Sequence, residues 1–393
     1  MNIVIVGGGT AGITTAARLR NSLDKSFEIS VIEPSKYHYY QPYWTLNGAG
    51  IGTKEETRKL TKEVMPHQVS WIQDRCIKIN PDKNEVECEK EGIIKYDILV
   101  VAPGIQINWD QIEGLKEAMG KDGVCSNYSY EYVDYTWKFL QELDHGSALF
   151  TFPNSPLKCG GAPQKIMYLV EDYLRKHGKR NNVEIEFTSP GQAIFGVEKY
   201  KKSLEKIIKE RDIKTHFQIN LERIDGINKK AFFRDLQTNQ LIEKEYSFIH
   251  VVPPMSAPDF LINSKLLDET GWIDVDKHTF QHQKYENVFS LGDVSNAPTA
   301  KTGAAIRKQA PVVAENIVKF INKRSDFNRE YNGYTSCPIV TGYGQLILAE
   351  FDYDGKPCET FPFDQSKPRW SMYFLKAHIL PLVYWHGMLK GRM

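Results

Sequence analysis

The 393-residue chain has no uncharged apolar run approaching the length of a membrane-spanning helix, which takes about 20 such residues. Any membrane contact is therefore expected to be peripheral, made from one side. A charge excess is also missing. The net charge is +1, so nothing supports nucleic acid as a partner. Cysteines are few and scattered: Cys76, Cys88, Cys125, Cys159, Cys337 and Cys358 include no C-x-x-C pair. That argues against a zinc site or a thioredoxin-like motif, and no metal is expected. Six cysteines are too few to staple a chain of this length, so any that matter act as individual thiols. Low-complexity segments are absent. A composition of 41% hydrophobic and 25% charged residues excludes disorder, and the length calls for two or three domains. Met1 is followed at once by Asn-Ile-Val-Ile-Val, a strand pattern, so no signal or transit peptide is expected in this chain.

What is present begins with alternating strand and helix signals. Residues 3–6 read as a strand, followed by Gly7-Gly8-Gly9-Thr10-Ala11-Gly12 and a helical pattern through Arg20. Residues 27–32 read as a second strand, closed by Glu33-Pro34. This is a βαβ unit and predicts a parallel sheet. In Gly7-x-Gly9-x-x-Gly12 each glycine answers a need for no side chain: a tight turn, close backbone approach to a pyrophosphate, and close helix packing. The phosphates then face the helix N-terminus, where free N–H groups and the dipole favour negative charge. Glu33 stands 21 positions after Gly12, where an acid binds a ribose hydroxyl. Gly7, Gly9, Thr10, Ala11, Gly12 and Glu33 are thus the expected dinucleotide-binding residues.

Two later segments indicate which dinucleotide. Val288-Phe289-Ser290-Leu291-Gly292-Asp293 resembles the strand-Gly-Asp motif of two-dinucleotide flavoproteins, which implies that Asp293 contacts the ribityl and phosphate region of FAD. Residues 96–104 resemble the linking strand and turn of the same superfamily. A second α/β region follows, with strands at 148–152 and 183–188, a helix at 163–177, and further on a strand at 288–291 and a helix at 303–322. NADH-using members carry another GxGxxG after the first of these strands. Here the place reads Pro153-Asn154-Ser155-Pro156-Leu157-Lys158-Cys159-Gly160-Gly161, and the next strand ends Thr188-Ser189 with no acid for a ribose. The electron donor is therefore expected to be something other than NADH. The predicted fold class is α/β: two Rossmann-like dinucleotide-binding domains plus a C-terminal amphipathic membrane-binding element. Residues 1–110 and 265–326 would form the FAD-binding domain, 111–264 a second Rossmann-like domain without a functional NAD site, and 327–393 a redox-cysteine and membrane/quinone element.

The segments Pro156-Leu157-Lys158-Cys159-Gly160-Gly161-Ala162-Pro163-Gln164-Lys165 and Tyr334-Thr335-Ser336-Cys337-Pro338-Ile339-Val340-Thr341-Gly342-Tyr343 resemble the two cysteine motifs of sulfide:quinone oxidoreductases, in the branch that includes the mitochondrial enzyme. Residues 359–367 and Tyr40-Gln41-Pro42 are similar to the same branch, and the likeness runs over nearly the whole chain. The resemblance implies that Cys159 and Cys337 are a redox pair. Sulfide opens their disulfide and leaves a persulfide on Cys337. The freed Cys159 thiolate reacts with FAD, which then hands two electrons to a membrane quinone. The sulfane sulfur passes to an acceptor: another sulfide, sulfite, cyanide or a small thiol. The resemblance also implies that Gln41 lies at the flavin, Lys301 close to the FAD, and the backbone of Cys76 against the adenine. It leaves room for a homo-oligomer. Cys125 is either an accessory thiol or a buried one; Cys88 and Cys358 are expected to be ordinary buried thiols. Lys376 lies either near the flavin end of the quinone pocket or on the solvated surface. His38 and His378 are expected to be ordinary.

From Ser366 to Met393 there are five basic residues, Lys367, Arg369, Lys376, Lys390 and Arg392, and no acid. Aromatic and aliphatic residues alternate with them, and Pro381 is expected to split the segment into two helical pieces. Such a tail either buries its apolar face at a membrane lipid surface while its cations meet anionic headgroups, packs as a core helix pair with a basic rim, or makes a dimer contact; the resemblance implies the membrane. Three rival readings exist. A type II NADH:quinone oxidoreductase conflicts with the missing second glycine motif. A flavin-bound sulfide or redox sensor would be reduced by sulfide without turning over quinone. A disulfide reductase would place its cysteines close together, whereas these are 178 positions apart.

Overall fold

Branched apolar runs build the centre of the first sheet. In the computed structural model, which describes residues 1–323 and 329–393, the strand Asn2–Val6 lies between Glu28–Ile32 and Ile98–Val101, parallel to both. Ile3, Val4 and Ile5 are fully buried. A parallel strand covered on both faces needs an unbroken apolar run, and Ile-Val-Ile-Val supplies it. Ser70–Ile72 extends one edge and Val288–Ser290 the other. That last strand arrives only after the chain has completed a second sheet.

The second sheet is also parallel, in the order Val124–Cys125, Phe248–His250, Gly146–Thr151, Val183–Ser189, Lys214–Phe217. The helix Ala162–Lys176 follows Gly146–Thr151, with Pro163 in its first turn, where the missing N–H costs nothing. A three-stranded antiparallel sheet, Ile219–Asp225, Lys230–Asp235 and Leu241–Glu245, hangs from this unit. The expected boundary between 326 and 327 lies outside the described residues.

After it comes a two-stranded hairpin, Thr335–Gly342 with Gln345–Phe351, packed on Ala162–Lys176. Buried Glu350 fastens the following loop to the hairpin. It accepts hydrogen bonds from the Tyr334 hydroxyl, from the Thr360 N–H at 2.8 Å and from the Gln365 amide at 2.8 Å.

The tail is helical from Trp370 to His386 without the expected split. A wider π-helical turn, Leu375–Ile379, joins Trp370–Phe374 to Leu380–His386, and Pro381 occupies the first turn of the latter. A proline within a continuing helix removes an N–H and crowds the preceding turn; a π turn is one way the backbone absorbs that. One face of the tail packs on protein. Tyr384, Trp385, Met388 and Leu389 are buried in the core of the first sheet's domain, and Lys376 is buried as well. An amphipathic pattern says that one face is covered; it does not say that lipid is the cover.

Candidate active site

The glycine loop is shaped by contacts no side chain would permit. Gly7 has φ +101°, and a Cβ there would lie 2.3 Å from the Ala102 carbonyl oxygen. A Cβ on Gly12 would lie 1.8 Å from the Gly7 oxygen, so the helix Thr10–Ser22 can approach the strand only with glycine there. Gly9 is different: a Cβ would meet nothing within 4 Å. Its open side lies beside the first helical turn, where the N–H groups of Thr10, Ala11 and Gly12 find no acceptor among the described residues. An open hollow rimmed with unpaired N–H donors fits a pyrophosphate. Glu33 stands beside it, its carboxylate accepting from the Gly8 N–H at 2.8 Å and the Ser35 N–H at 2.7 Å. Burial pushes its carboxyl pKa up, against those two bonds.

Asp293 follows Val288–Ser290 at the far edge of the same sheet. Burial pushes its carboxyl up, and Lys301 and Lys158 oppose the shift. The Lys301 ammonium donates to the carbonyls of Asp293 (2.6 Å) and Ser295 (3.0 Å) and sits 3.9 Å from the Trp272 ring centroid. Burial lowers its pKa to about 8. The Lys301 backbone carbonyl accepts from the Cys159 N–H at 2.9 Å. The Gly-Asp element and the first cysteine loop are thereby joined directly. Gln41 joins the same place: its side-chain oxygen accepts from Lys158 at 2.6 Å. Lys158 is lowered to about 8 by burial.

Cys159 sits in a left-handed backbone conformation, φ +52°, costly for a residue with a side chain and tolerated where the surroundings over-determine it. Its carbonyl accepts from the buried Tyr128 hydroxyl at 3.3 Å. Its sulfur accepts from the Lys165 ammonium at 3.3 Å. Cys337 comes in from the hairpin. A Cβ on Gly161 would lie 2.3 Å from the Cys337 sulfur. In the loop where an NAD site would use glycine to admit phosphate, glycine here admits a sulfur. Both cysteines are free thiols. Burial pushes the Cys337 thiol up, and Lys165 is the strongest opposing influence.

Lys165 is 2% exposed. Burial pulls its ammonium down, but the two sulfurs outweigh that and its pKa is raised. Lys376 reaches the same cluster from the π turn and donates to the Pro42 carbonyl at 3.0 Å. Burial first, then the charge of Lys165, lowers it to about 7. The solvated-surface alternative for Lys376 does not hold, since the side chain is buried.

The remaining thiols lie elsewhere. Cys76 and Cys88 face each other across an antiparallel pair, and burial pushes their pKa values up to about 12 and about 11. Cys125 is fully buried, hydrogen-bonded to the Ile249 carbonyl, with its thiol pushed up by burial. It behaves as a core residue. Cys358 is partly exposed rather than buried.

Sequence reasoning passed over Lys158, Lys165, His38 and Tyr384. Both lysines lie within the cysteine motif, and Lys165 lies in the first turn of the helix Ala162–Lys176, six positions after Cys159, so a local signal existed. His38 had none. Its Nδ1 bonds the Gly8 carbonyl at 3.0 Å and its Nε2 the Tyr384 hydroxyl at 2.5 Å. Burial lowers its pKa to about 4. It is a buried structural histidine, and its partner is 346 positions away, so no local pattern marks the contact.

The model of the pyridine nucleotide-disulphide oxidoreductase family matches residues 1–133. The mitochondrial sulfide:quinone oxidoreductase of Dictyostelium discoideum is 46% identical over 99% of this chain and 86% of its own length. That of Mus musculus matches with the same identity and the same coverage. Among solved structures, the sulfide:quinone oxidoreductase of Aquifex aeolicus superposes with a TM-score of 0.85 at 22% identity, over 100% of this chain and 92% of that one.

Proposed function

Because the chain belongs to the sulfide:quinone oxidoreductase family, flavoproteins that oxidise sulfide and reduce quinone, we propose that its redox pair is Cys159 and Cys337 and its flavin is FAD. The observation that carries the assignment of the pair is Gly161, whose missing side chain makes room for the Cys337 sulfur in the Cys159 loop. The loop of Gly7, Gly9, Thr10, Ala11 and Gly12 would hold the FAD pyrophosphate, Glu33 a ribose, and Asp293 the ribityl end. Gln41 and Lys301 would line the ring side, and the Cys76 backbone the adenine. Bound flavin supplies a two-electron acceptor that a quinone can reoxidise.

The chain's own part follows from the cluster. Sulfide attacks the disulfide at Cys337: a new S–S bond forms there, the old one breaks, and Cys159 leaves as thiolate. Lys165 stabilises that leaving thiolate through its hydrogen bond. A nucleophilic acceptor (sulfide, sulfite, cyanide or a small thiol) then takes the sulfane sulfur and frees the Cys337 thiolate. Re-forming the disulfide from the two thiolates releases two electrons, for which the bound flavin would be the acceptor. Buried cations at the pair favour anions at every stage, both incoming sulfide and departing thiolate.

Anaerobic sulfide should bleach the flavin absorbance and a soluble quinone should restore it, while NADH leaves it unchanged. Bleaching by NADH with indifference to sulfide would move the chain to the type II NADH:quinone oxidoreductases.

We further infer peripheral attachment to a membrane lipid surface through the outer face of the tail. No helix among the described residues is long and apolar enough to cross a membrane. Trp370 and Leu382 are 67% and 57% exposed, and Phe374 and Ile379 lie on the same helical run, also exposed. Removing the whole tail would be a poor test, since half of it is core. Trp370→Glu with Leu382→Glu is cleaner. Each apolar side chain is worth about 1.5–3 kcal/mol on burial. The double variant should therefore co-sediment at least about tenfold less with vesicles containing an anionic phospholipid. Undiminished sedimentation would refute attachment by this face.

A further inference from the structure

The last helix is tied to the glycine loop from inside. The Tyr384 hydroxyl lies 2.8 Å from the Thr10 hydroxyl and 2.5 Å from His38 Nε2, and His38 Nδ1 lies 3.0 Å from the Gly8 carbonyl. The direction of this chain is determined by its end. A carbonyl can only accept, so Nδ1 carries the ring proton. His38 is held neutral by burial, so Nε2 must accept. Tyr384 therefore donates to His38, and Thr10 donates to Tyr384. The Thr10 hydroxyl is thereby committed to Tyr384, while the Thr10 N–H has no acceptor among the described residues. The two peptides flanking the Gly8 Cα are each held, the N–H of one by Glu33 and the carbonyl of the other by His38.

The same tail grips the rest of the phosphate-facing helix. Asn21 donates to the Lys390 carbonyl at 3.1 Å, and Arg18 donates to the Met393 carbonyl. Gly391 approaches so closely that a Cβ would lie 2.9 Å from the Arg18 nitrogen. Tyr384 itself is buried, its ring 4.6 Å from that of Tyr40.

We propose that Tyr384 is a positioning residue of the flavin site: through Thr10 and His38 its hydroxyl holds the glycine loop in the conformation that receives the dinucleotide. The inference rests on the reading that this loop binds FAD. A loop already ordered binds without the cost of ordering it, so Tyr384 contributes to cofactor affinity by ordering the loop.

The test is FAD binding to apoprotein, followed by quenching of flavin fluorescence, with the melting temperature of the apoprotein measured alongside. Tyr384→Phe keeps the ring packing and deletes only the hydroxyl. It should weaken FAD binding about tenfold, and by more than a packing variant that lowers the apoprotein's melting temperature equally. Affinity equal to that of the parent protein would overturn the proposal. So would a loss of affinity that merely tracks a lowered melting temperature, since that is a packing role. Gly9→Val, which fills the open side of the loop, separates the two levels. Unimpaired binding in Gly9→Val removes the loop reading itself; impaired binding there with normal binding in Tyr384→Phe removes only the role of Tyr384.

Discussion

Replacing Cys337 with serine lowers the rate of flavin bleaching by sulfide by at least about a thousandfold, and Cys159→Ser does the same. The reason is chemical rather than structural. Serine occupies nearly the volume of cysteine, so the space opposite Gly161 stays filled and the fold and flavin content survive. A serine forms no disulfide, however, and sulfide then meets no electrophilic sulfur. Both single variants should fall to a similar floor, because the pair acts as one unit. Cys125→Ser is the matched control. That thiol is fully buried and bonded to the Ile249 carbonyl, so its loss should leave most of the activity. Anaerobic stopped-flow absorbance decides the matter, and parent-like bleaching in either Cys159→Ser or Cys337→Ser would sink the assignment.

The second large effect is expected at Lys165. Its ammonium donates to the Cys159 sulfur and is the main influence resisting the upward push that burial exerts on the Cys337 thiol. Lys376 replaces it only in part, since its amine is lowered to about 7 first by burial, and burial persists when the charge of Lys165 is removed. Lys165→Met keeps the length of the side chain and removes the charge. A thiolate loses stabilisation when a neighbouring cation is removed, so the thiol pKa rises and less thiolate exists at neutral pH. Sulfide oxidation should fall by about 10- to 100-fold at pH 7. The acidic limb of the pH–rate profile should move to higher pH, and the deficit should narrow as pH rises. A uniform loss at all pH values would instead mean that Lys165 only supports the packing, and no loss would remove it from the mechanism.

Much of the frame was readable along the chain. The run Ile3 to Val6, the glycine turn and the helix after it follow from short-range patterns, and strand and helix appear within two residues of their predicted ends. The Gly-Asp segment and the two cysteine motifs were also legible, each being a contiguous string of residues. Lys165 was visible in one of those strings and overlooked, since a lysine in a helix is normally a solvated one. The tail was read half correctly. Its alternation announced an amphipathic helix, but periodicity cannot distinguish protein from lipid on the apolar side. Tyr384 and Trp385 turned inward while Trp370 and Leu382 stayed out.

The sequence by itself therefore determined the α/β class, the glycine loop between the first strand and helix and the lack of a second one, because each depends on neighbours a few positions apart. Only the tertiary structure decided that Lys165 and Lys376 converge on two cysteines from different elements, that Gly161 is empty for the sake of a sulfur, and that Tyr384 closes a hydrogen-bond chain onto Thr10 and His38. These are meetings of residues far apart in the chain. They are set by how helices and sheets pack once each buries its apolar face, and no local pattern encodes which polar groups that packing will bring within hydrogen-bond reach.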